Sequence, residues 1–400
     1  MVNKQEEEIT KNWILTNESL VSICCITYNH EKYIAEALDS FLMQETDFPF
    51  EILIHEDAST DNTAKIIRSY ENKYPSLIKP IYQTENQYSK GIKINATFNL
   101  PRAKGEYIAL CEGDDFWTDK GKLQYQIEKM KEYNKCEISF HPTKFIKNQT
   151  MSDTIFRRHA KYDKIFDIKE IIRGDGGFCP TASLIIKKEV FDDIPSFFQN
   201  TPVGDYFIQI FGSVNGGALY IDKTMSAYRI HSGGVWTSRE SNFLSRKKFA
   251  FEMLDTLNEM DEFFNFKYYE DIAFIKSHIF SAILNKKKFS IDDRKLLYQQ
   301  CKEYLLTEHN ALWIQELYTF LEEQKILIEN QNKTIKDKTD LLQKNQEVIS
   351  QDNNKVVTLM NAIQNVTKFS IIVNPIKKYH AYKEILTTYY SVRKNENEKK

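Results

Sequence analysis

From Val21 to about Tyr133, short apolar runs alternate with helical periodicities, and this alternation constrains the fold more than any other feature of the 400-residue chain. Val21 to Ile26 is a continuous run followed by turn residues, after which Ile34, Ala37, Leu38, Phe41 and Leu42 share one helical face within Tyr33 to Gln44. Glu51 to His55 reads as a second strand, followed by a helix that aligns Ala64, Ile67 and Tyr70. Ile78 to Tyr82 is a third strand. A polar stretch and a Pro-interrupted helical segment, Ile94 to Ala103, lead into a fourth strand, Tyr107 to Cys111, and a helix from Lys122 to Tyr133. Such an order predicts an α/β fold with a doubly wound, largely parallel sheet. Ligands of these sheets bind in the crevice beyond the carboxyl ends of the strands.

Those strand ends carry Thr27-Tyr28-Asn29, Glu56-Asp57 and Glu112-Gly-Asp114-Asp115, whereas the strand bodies are apolar. Adjacent carboxylates repel one another unless something positive lies between them, and a divalent cation gripping a phosphate is the usual solution. An isolated Asp-Asp pair has a simpler reading as an acidic cap on the helix starting near Lys122. Three polar or acidic ends converging on one crevice are hard to produce by capping alone, and they predict a nucleotide and metal site.

Lys and Arg (54) nearly balance Asp and Glu (56), so no global field exists to hold nucleic acid. Six cysteines lack metal or redox spacing, and Cys24 and Cys25, neighbours on a strand, point to opposite faces. This usage fits buried thiols in a reducing compartment. The acidic start, Met1 to Glu8, has no apolar signal-peptide core, and no run approaches the roughly 20 apolar residues that span a bilayer. A cytoplasmic location is expected.

Four regions are expected: an extension over residues 1–17, the sheet domain over 18–240, a helical region over 241–320, and a tail over 321–400. The sheet domain contains an apolar strand from Ala182 to Ile186. In the tail Leu321, Ile328, Ile335, Leu342, Ile349, Val356 and Ile363 recur every seven residues, but the partner positions are mostly polar. This is half a heptad pattern, predicting a long helix or weak coiled coil through which copies would self-associate, or else a disordered polar tail. Phe369 to Val373 followed by Lys377, Lys378, Lys383, Arg393 and Lys394 reads as a solvated helix end or a contact with an anionic membrane surface.

Val21-Ser-Ile-Cys-Cys-Ile-Thr-Tyr-Asn-His30, Glu56-Asp57-Ala-Ser-Thr-Asp61 and Ala103-Lys-Gly-Glu-Tyr-Ile-Ala-Leu-Cys-Glu-Gly-Asp114-Asp115 resemble glycosyltransferase family 2, the inverting enzymes with a GT-A-type fold. Val203-Gly-Asp205-Tyr-Phe and Tyr228-Arg-Ile-His231-Ser-Gly-Gly-Val-Trp236 fit too, so the resemblance runs from Val21 to Trp236. It implies that Thr27, Tyr28 and Asn29 line the nucleotide pocket and that Asp57 hydrogen-bonds the base. Asp114 would hold the ribose or share the metal, and Asp115 would ligate Mg²⁺ or Mn²⁺ on the nucleotide diphosphate. Asp205 would be the general base, and His231 would complete the metal or diphosphate contacts, a set that suits Mn²⁺ better than Ca²⁺. One departure is Glu56-Asp57-Ala58-Ser59, where the family usually has an Asp-Asp-Gly-Ser signature.

Each residue also has a plainer reading. Asp57 suits an Asx-turn with Ser59 and Thr60, and Asp205 suits a helix N-cap. His231 suits a hydrogen-bonded loop, and Trp117 and Trp236 suit packed aromatics rather than stacking platforms for a sugar. Asn95 and Asn99 lie where the family often places polar contacts to the donor.

The resemblance implies transfer of a sugar from a nucleotide-diphosphate donor, a UDP-sugar above others, to a hydroxyl of a glycan or lipid-linked glycan, with inversion. Bacterial capsule, lipopolysaccharide or other surface-glycan synthesis is the implied setting, at the inner face of the cell membrane. Nucleotidyl transfer to a sugar phosphate is an alternative, although it needs a phosphate-cradling glycine loop that Thr27 to Tyr33 lacks. A non-catalytic scaffold carrying a degenerate transferase domain is another.

Overall fold

The computed structural model describes residues 4–14, 18–147, 150–230, 242–284, 289–306, 326 and 329–340. The chain divides into two compact units, Met1–Leu312 and Trp313–Lys400. In the second, residues 329–340 are helical; most of the predicted heptad stripe, the basic end and the membrane-contact segment lie outside the described residues. No helix among the described residues is long and apolar enough to cross a membrane.

The described residues of the first unit form twelve strands: β1 (Val21–Thr27), β2 (Phe50–Glu56), β3 (Ile78–Tyr82), β4 (Tyr107–Leu110), β5 (Phe116–Trp117), β6 (Ile138–Phe140), β7 (Thr143–Lys147), β8 (Thr150–Phe156), β9 (Lys164–Phe166), β10 (Ile185–Lys187), β11 (Ala218–Tyr220) and β12 (Ser226–Ile230). Eight form one sheet in the order β3-β2-β1-β4-β10-β6-β11-β9, and β5-β12-β7-β8 form a second. The half made of β3, β2, β1 and β4 is wholly parallel. Beyond it β10 runs antiparallel to both β4 and β6.

Both faces of the large sheet are covered, as its apolar strands require. Ile23, Cys25, Ile52 and Ile54 pack in one core with Leu38 and Phe41 of helix Ile34–Leu42, Ile67 of helix Thr63–Lys73 and Ile127 of helix Lys122–Glu132. Cys24, Leu53, Ile108 and Leu110 belong to the other core, with Phe207 of helix Asp205–Phe211 and Leu257 of helix Phe243–Phe263. Cys24 and Cys25 thus face opposite layers, and all six cysteines are buried and free. A GT-A-type α/β architecture with helices on its C-terminal side results.

Two local expectations change. The segment before β4 is a π-turn, Asn95–Asn99, followed by a tight turn, Leu100–Arg102. Pro101 has no N–H to give, so an α-helix cannot continue through it. The strand expected from Ala182 starts only at Ile185, because Thr181–Ser183 form a 3₁₀ turn. Ser183 closes that turn, donating from both its N–H (2.8 Å) and its Oγ (2.6 Å) to the Pro180 carbonyl.

Candidate active site

The ends of β1, β2 and β4 are tied to one another by main-chain hydrogen bonds. Asp57 N donates to Thr27 O at 3.0 Å, and Gly113 N donates to Ile26 O at 2.9 Å. A Cβ on Gly113 would lie 2.7 Å from both Thr27 Cβ and Thr27 Oγ1, so only glycine lets the acidic loop close against the first strand end. The sequence-predicted crevice is therefore a single edge.

Glu112, Asp114 and Asp115 crowd this edge. Asp115 is 2% exposed. Burial and then the charges of Asp114 and Glu112 push its carboxyl far up, and the Arg229 N–H and guanidinium act the other way. Glu112 is pushed up to about 8 by burial, then by Asp114 and Asp205. His30 Nε2 stands 3.8 Å from Asp114 Oδ2. Clustered desolvated carboxylates whose proton affinity has risen are a place where a cation replaces protons.

Asp205 comes from far down the chain. It is the first residue of its helix, with Gly204 at the cap, so the N-cap reading misses by one residue. Its Oδ1 accepts from Tyr206 N at 2.9 Å and its Oδ2 from Thr181 Oγ1 at 3.3 Å. Burial raises its carboxyl, partly offset by these donors and by the charge of Lys93. The Lys93 ammonium itself donates to Thr201 O.

Tyr228 shows that the two regions meet. Its phenol is pushed up by burial and then by the charges of Asp115, Glu112, Asp114 and Asp205. One side chain on β12 feels all four carboxylates. Sequence reasoning placed Tyr228 in a motif but gave it no role, and it gave none to Lys93 or Arg229.

On the other side of the crevice Asp57, 3% exposed, does not make the Asx-turn. Its Oδ1 accepts from Gln87 N (2.8 Å) and lies 3.2 Å from His55 Nε2, and its Oδ2 accepts from Tyr88 N (3.0 Å). Glu56 takes the turn role, accepting from Ser59 N at 2.7 Å. Asn29 Oδ1 accepts from Thr60 N at 2.8 Å, while Asn29 N donates to Ser59 Oγ at 2.9 Å, so the first two strand-end loops are laced together. Thr27 is buried with an Oγ1 that has no hydrogen-bond partner among the described residues, and Tyr28 is 41% exposed at the rim.

Trp117 is a core residue, edge-on to Phe41 with its Nε1 donating to Ala182 O at 2.9 Å. Asn99 is buried and donates to Cys25 O and Asn95 Oδ1, holding the π-turn rather than facing the crevice. His231 and Trp236 lie outside the described residues. Among the described residues no three His, Cys, Asp or Glu side chains form a complete metal-ligand set. The donors present still fit a hard cation, which commonly uses one or two carboxylates and takes its other oxygens from phosphate and water.

Comparisons agree with this construction. Residues 22–194 match the model of Glycosyl transferase family 2, and the domain built on them belongs to that family. An uncharacterised Mycobacterium tuberculosis protein is 36% identical over 237 residues, covering 57% of this chain and 63% of its own length. The chain thus spans less than two thirds of that relative. A dTDP-rhamnosyl transferase of Shigella flexneri, RfbG, is 27% identical over 222 residues, covering 51% of this chain and 71% of its own. Among solved structures, S. aureus TarS (residues 1–349) superposes with a TM-score of 0.50 at 19% identity, covering 73% of this chain and 81% of that one, a likeness of fold.

Proposed function

We propose that this chain transfers a sugar from a nucleotide-diphosphate donor to an acceptor hydroxyl, with inversion. The observation that carries the reading is the convergence of Glu112, Asp114, Asp115 and Asp205 on Tyr228, which joins a phosphate-side acid cluster to a lone desolvated base. Asp205 suits the base: burial strengthens its hold on a proton, while Thr181 and Tyr206 fix both of its oxygens. It takes the acceptor hydroxyl's proton as that oxygen bonds to the anomeric carbon. The bond from that carbon to the diphosphate oxygen breaks on the opposite face, which inverts the centre.

Asp115, with Asp114 as ribose or metal partner, would hold Mn²⁺ or Mg²⁺, and His231 is proposed to join them. The cation would supply charge neutralisation for the departing diphosphate, an effect worth several kcal/mol. Thr27, Tyr28 and Asn29 would line the nucleotide pocket, and Asp57 would act on the base side by shaping the 83–88 loop. TarS was solved with UDP-GlcNAc, and a UDP-sugar is the donor proposed here. The acceptor proposed is a hydroxyl of a surface glycan or lipid-linked glycan, with the work done in the cytoplasm at the membrane's inner face.

The test is a thermal-shift panel of nucleoside diphosphates and nucleotide sugars with and without Mn²⁺, followed by donor-hydrolysis assays. Asp115→Asn should lose the Mn²⁺-dependent shift. Asp205→Asn should keep it yet turn over donor at least about 100-fold more slowly, the usual contribution of a general base. If no nucleotide moves the wild-type melting curve, the reading fails.

A further inference from the structure

The residue that touches the proposed metal carboxylate most directly is Arg229. Its N–H donates to Asp115 Oδ1 at 2.8 Å and its Nε to Asp114 O at 2.9 Å. Its terminal nitrogen meets Glu36 Oε2 at 2.5 Å, and its guanidinium lies 4.6 Å from the Tyr33 ring centre and 5.5 Å from that of Phe116. The Arg229 side chain is only 8% exposed. Register explains the placement: β12 pairs antiparallel with β5 through Ala227↔Phe116 and Ser226↔Trp117. Extending that ladder by two residues sets Arg229 across from Asp114.

Three elements therefore meet on one guanidinium: the acidic loop after β4, the helix after β1 through Tyr33 and Glu36, and β12 itself. The main-chain N–H would remain after any substitution. What the side chain adds is the position of that N–H, fixed by a planar fork that bonds in two directions while stacking on an aromatic ring.

We propose that Arg229 is a positioning residue that aims the Asp115 carboxylate for metal binding and locks the acidic loop to the helix after β1. The inference rests on the reading of Asp115 as the metal-holding carboxylate. Lysine cannot replace the fork, because one ammonium has no second nitrogen to reach Glu36 while bonding Asp114 O. Outer partners of metal ligands commonly set affinity by about 10–100-fold.

The experiment measures Mn²⁺ affinity in the presence of UDP, by the EPR signal of free Mn²⁺, for the full chain and for Asp115→Asn, Arg229→Met, Arg229→Lys and Glu36→Gln. Circular dichroism and melting in EDTA report folding separately. Expected is a loss of about 10-fold or more for both Arg229 variants at native circular dichroism. A purely structural role would lower the melting temperature and leave the affinity of the folded protein unchanged. A folded Arg229→Lys that binds Mn²⁺ within twofold of wild type overturns the proposal. Should neither Arg229 variant fold, Glu36→Gln decides: a weakening of severalfold supports the clamp, and wild-type affinity refutes it. If wild type and Asp115→Asn bind Mn²⁺ equally poorly, the proposed function falls and takes this inference with it. If Asp115→Asn alone loses binding, only the positioning role fails.

Discussion

Replacing Glu112 with glutamine should stabilise the metal-free protein by an amount that grows as pH rises from about 4.5 to about 8. Burial and the neighbouring charges of Asp114 and Asp205 raise this carboxyl from 4.5 to about 8. Below its ordinary value the group is protonated in both folded and unfolded chains, so it costs nothing. As pH climbs from about 4.5 toward 8 the unfolded chain releases its proton while the folded one retains it, and stability falls; above about 8 the loss is complete. At about 1.4 kcal/mol per tenfold change in acidity this is roughly 5 kcal/mol for an unscreened group. Glu112 is partly exposed, and solvent screening brings the expected effect down to about 2 kcal/mol. For a unit of this size that corresponds to about 4 °C in Tm.

The assay is melting by circular dichroism in EDTA at pH 5.5 and pH 8.5, both of them chosen to bracket the transition at roughly 8. Glu112→Gln should melt about 4 °C above wild type at the higher pH and nearly with it at the lower. Removing the Glu112 charge also relieves Asp115, so the difference between the two proteins reports the interacting carboxylates together. Mn²⁺ with UDP should narrow the gap by supplying the missing positive charge. A gap of equal size at both pH values, or a glutamine variant less stable at pH 8.5, would refute the reasoning.

Other substitutions probe the frame. Ala58 has φ +59° at the position where the family signature carries glycine, so Ala58→Gly should raise stability by about 0.5–1 kcal/mol in urea denaturation. Gly105 lies where a Cβ would come 2.4 Å from Ser22 N, main chain that cannot move aside. Gly105→Ala should separate β4 from β1 and yield protein without a cooperative melt. Asp57→Asn puts an amide donor against the N–H groups of Gln87 and Tyr88; it should cost about 1–3 kcal/mol and open the 83–88 loop to protease.

Much of the site was legible along the chain. The run from Tyr107 to Cys111 announces a buried strand, and a strand inside an alternating pattern fixes where Asp114 and Asp115 emerge. The opposed faces of Cys24 and Cys25 follow from the two-residue period of a strand alone. Asp205 was reached only through a family motif, since nothing local to Gly204-Asp205-Tyr206 separates a base from a helix start. Asp57 shows the limit from the other side: an Asx-turn and a clasp on residues 87–88 look alike until the chain has folded back.

What the sequence by itself determined is which residues are buried and which strand ends are acidic, because periodicity and local propensity act over a turn or two. What only tertiary structure decided is who meets whom across the crevice. Arg229 reaches Asp115 over a separation of 114 residues, and β10 enters the sheet antiparallel between β4 and β6. Such pairings depend on the register of whole sheets, a quantity no local window contains. The acidic loop is written in the chain, but the clamp that aims it exists only once β12 lies beside β5.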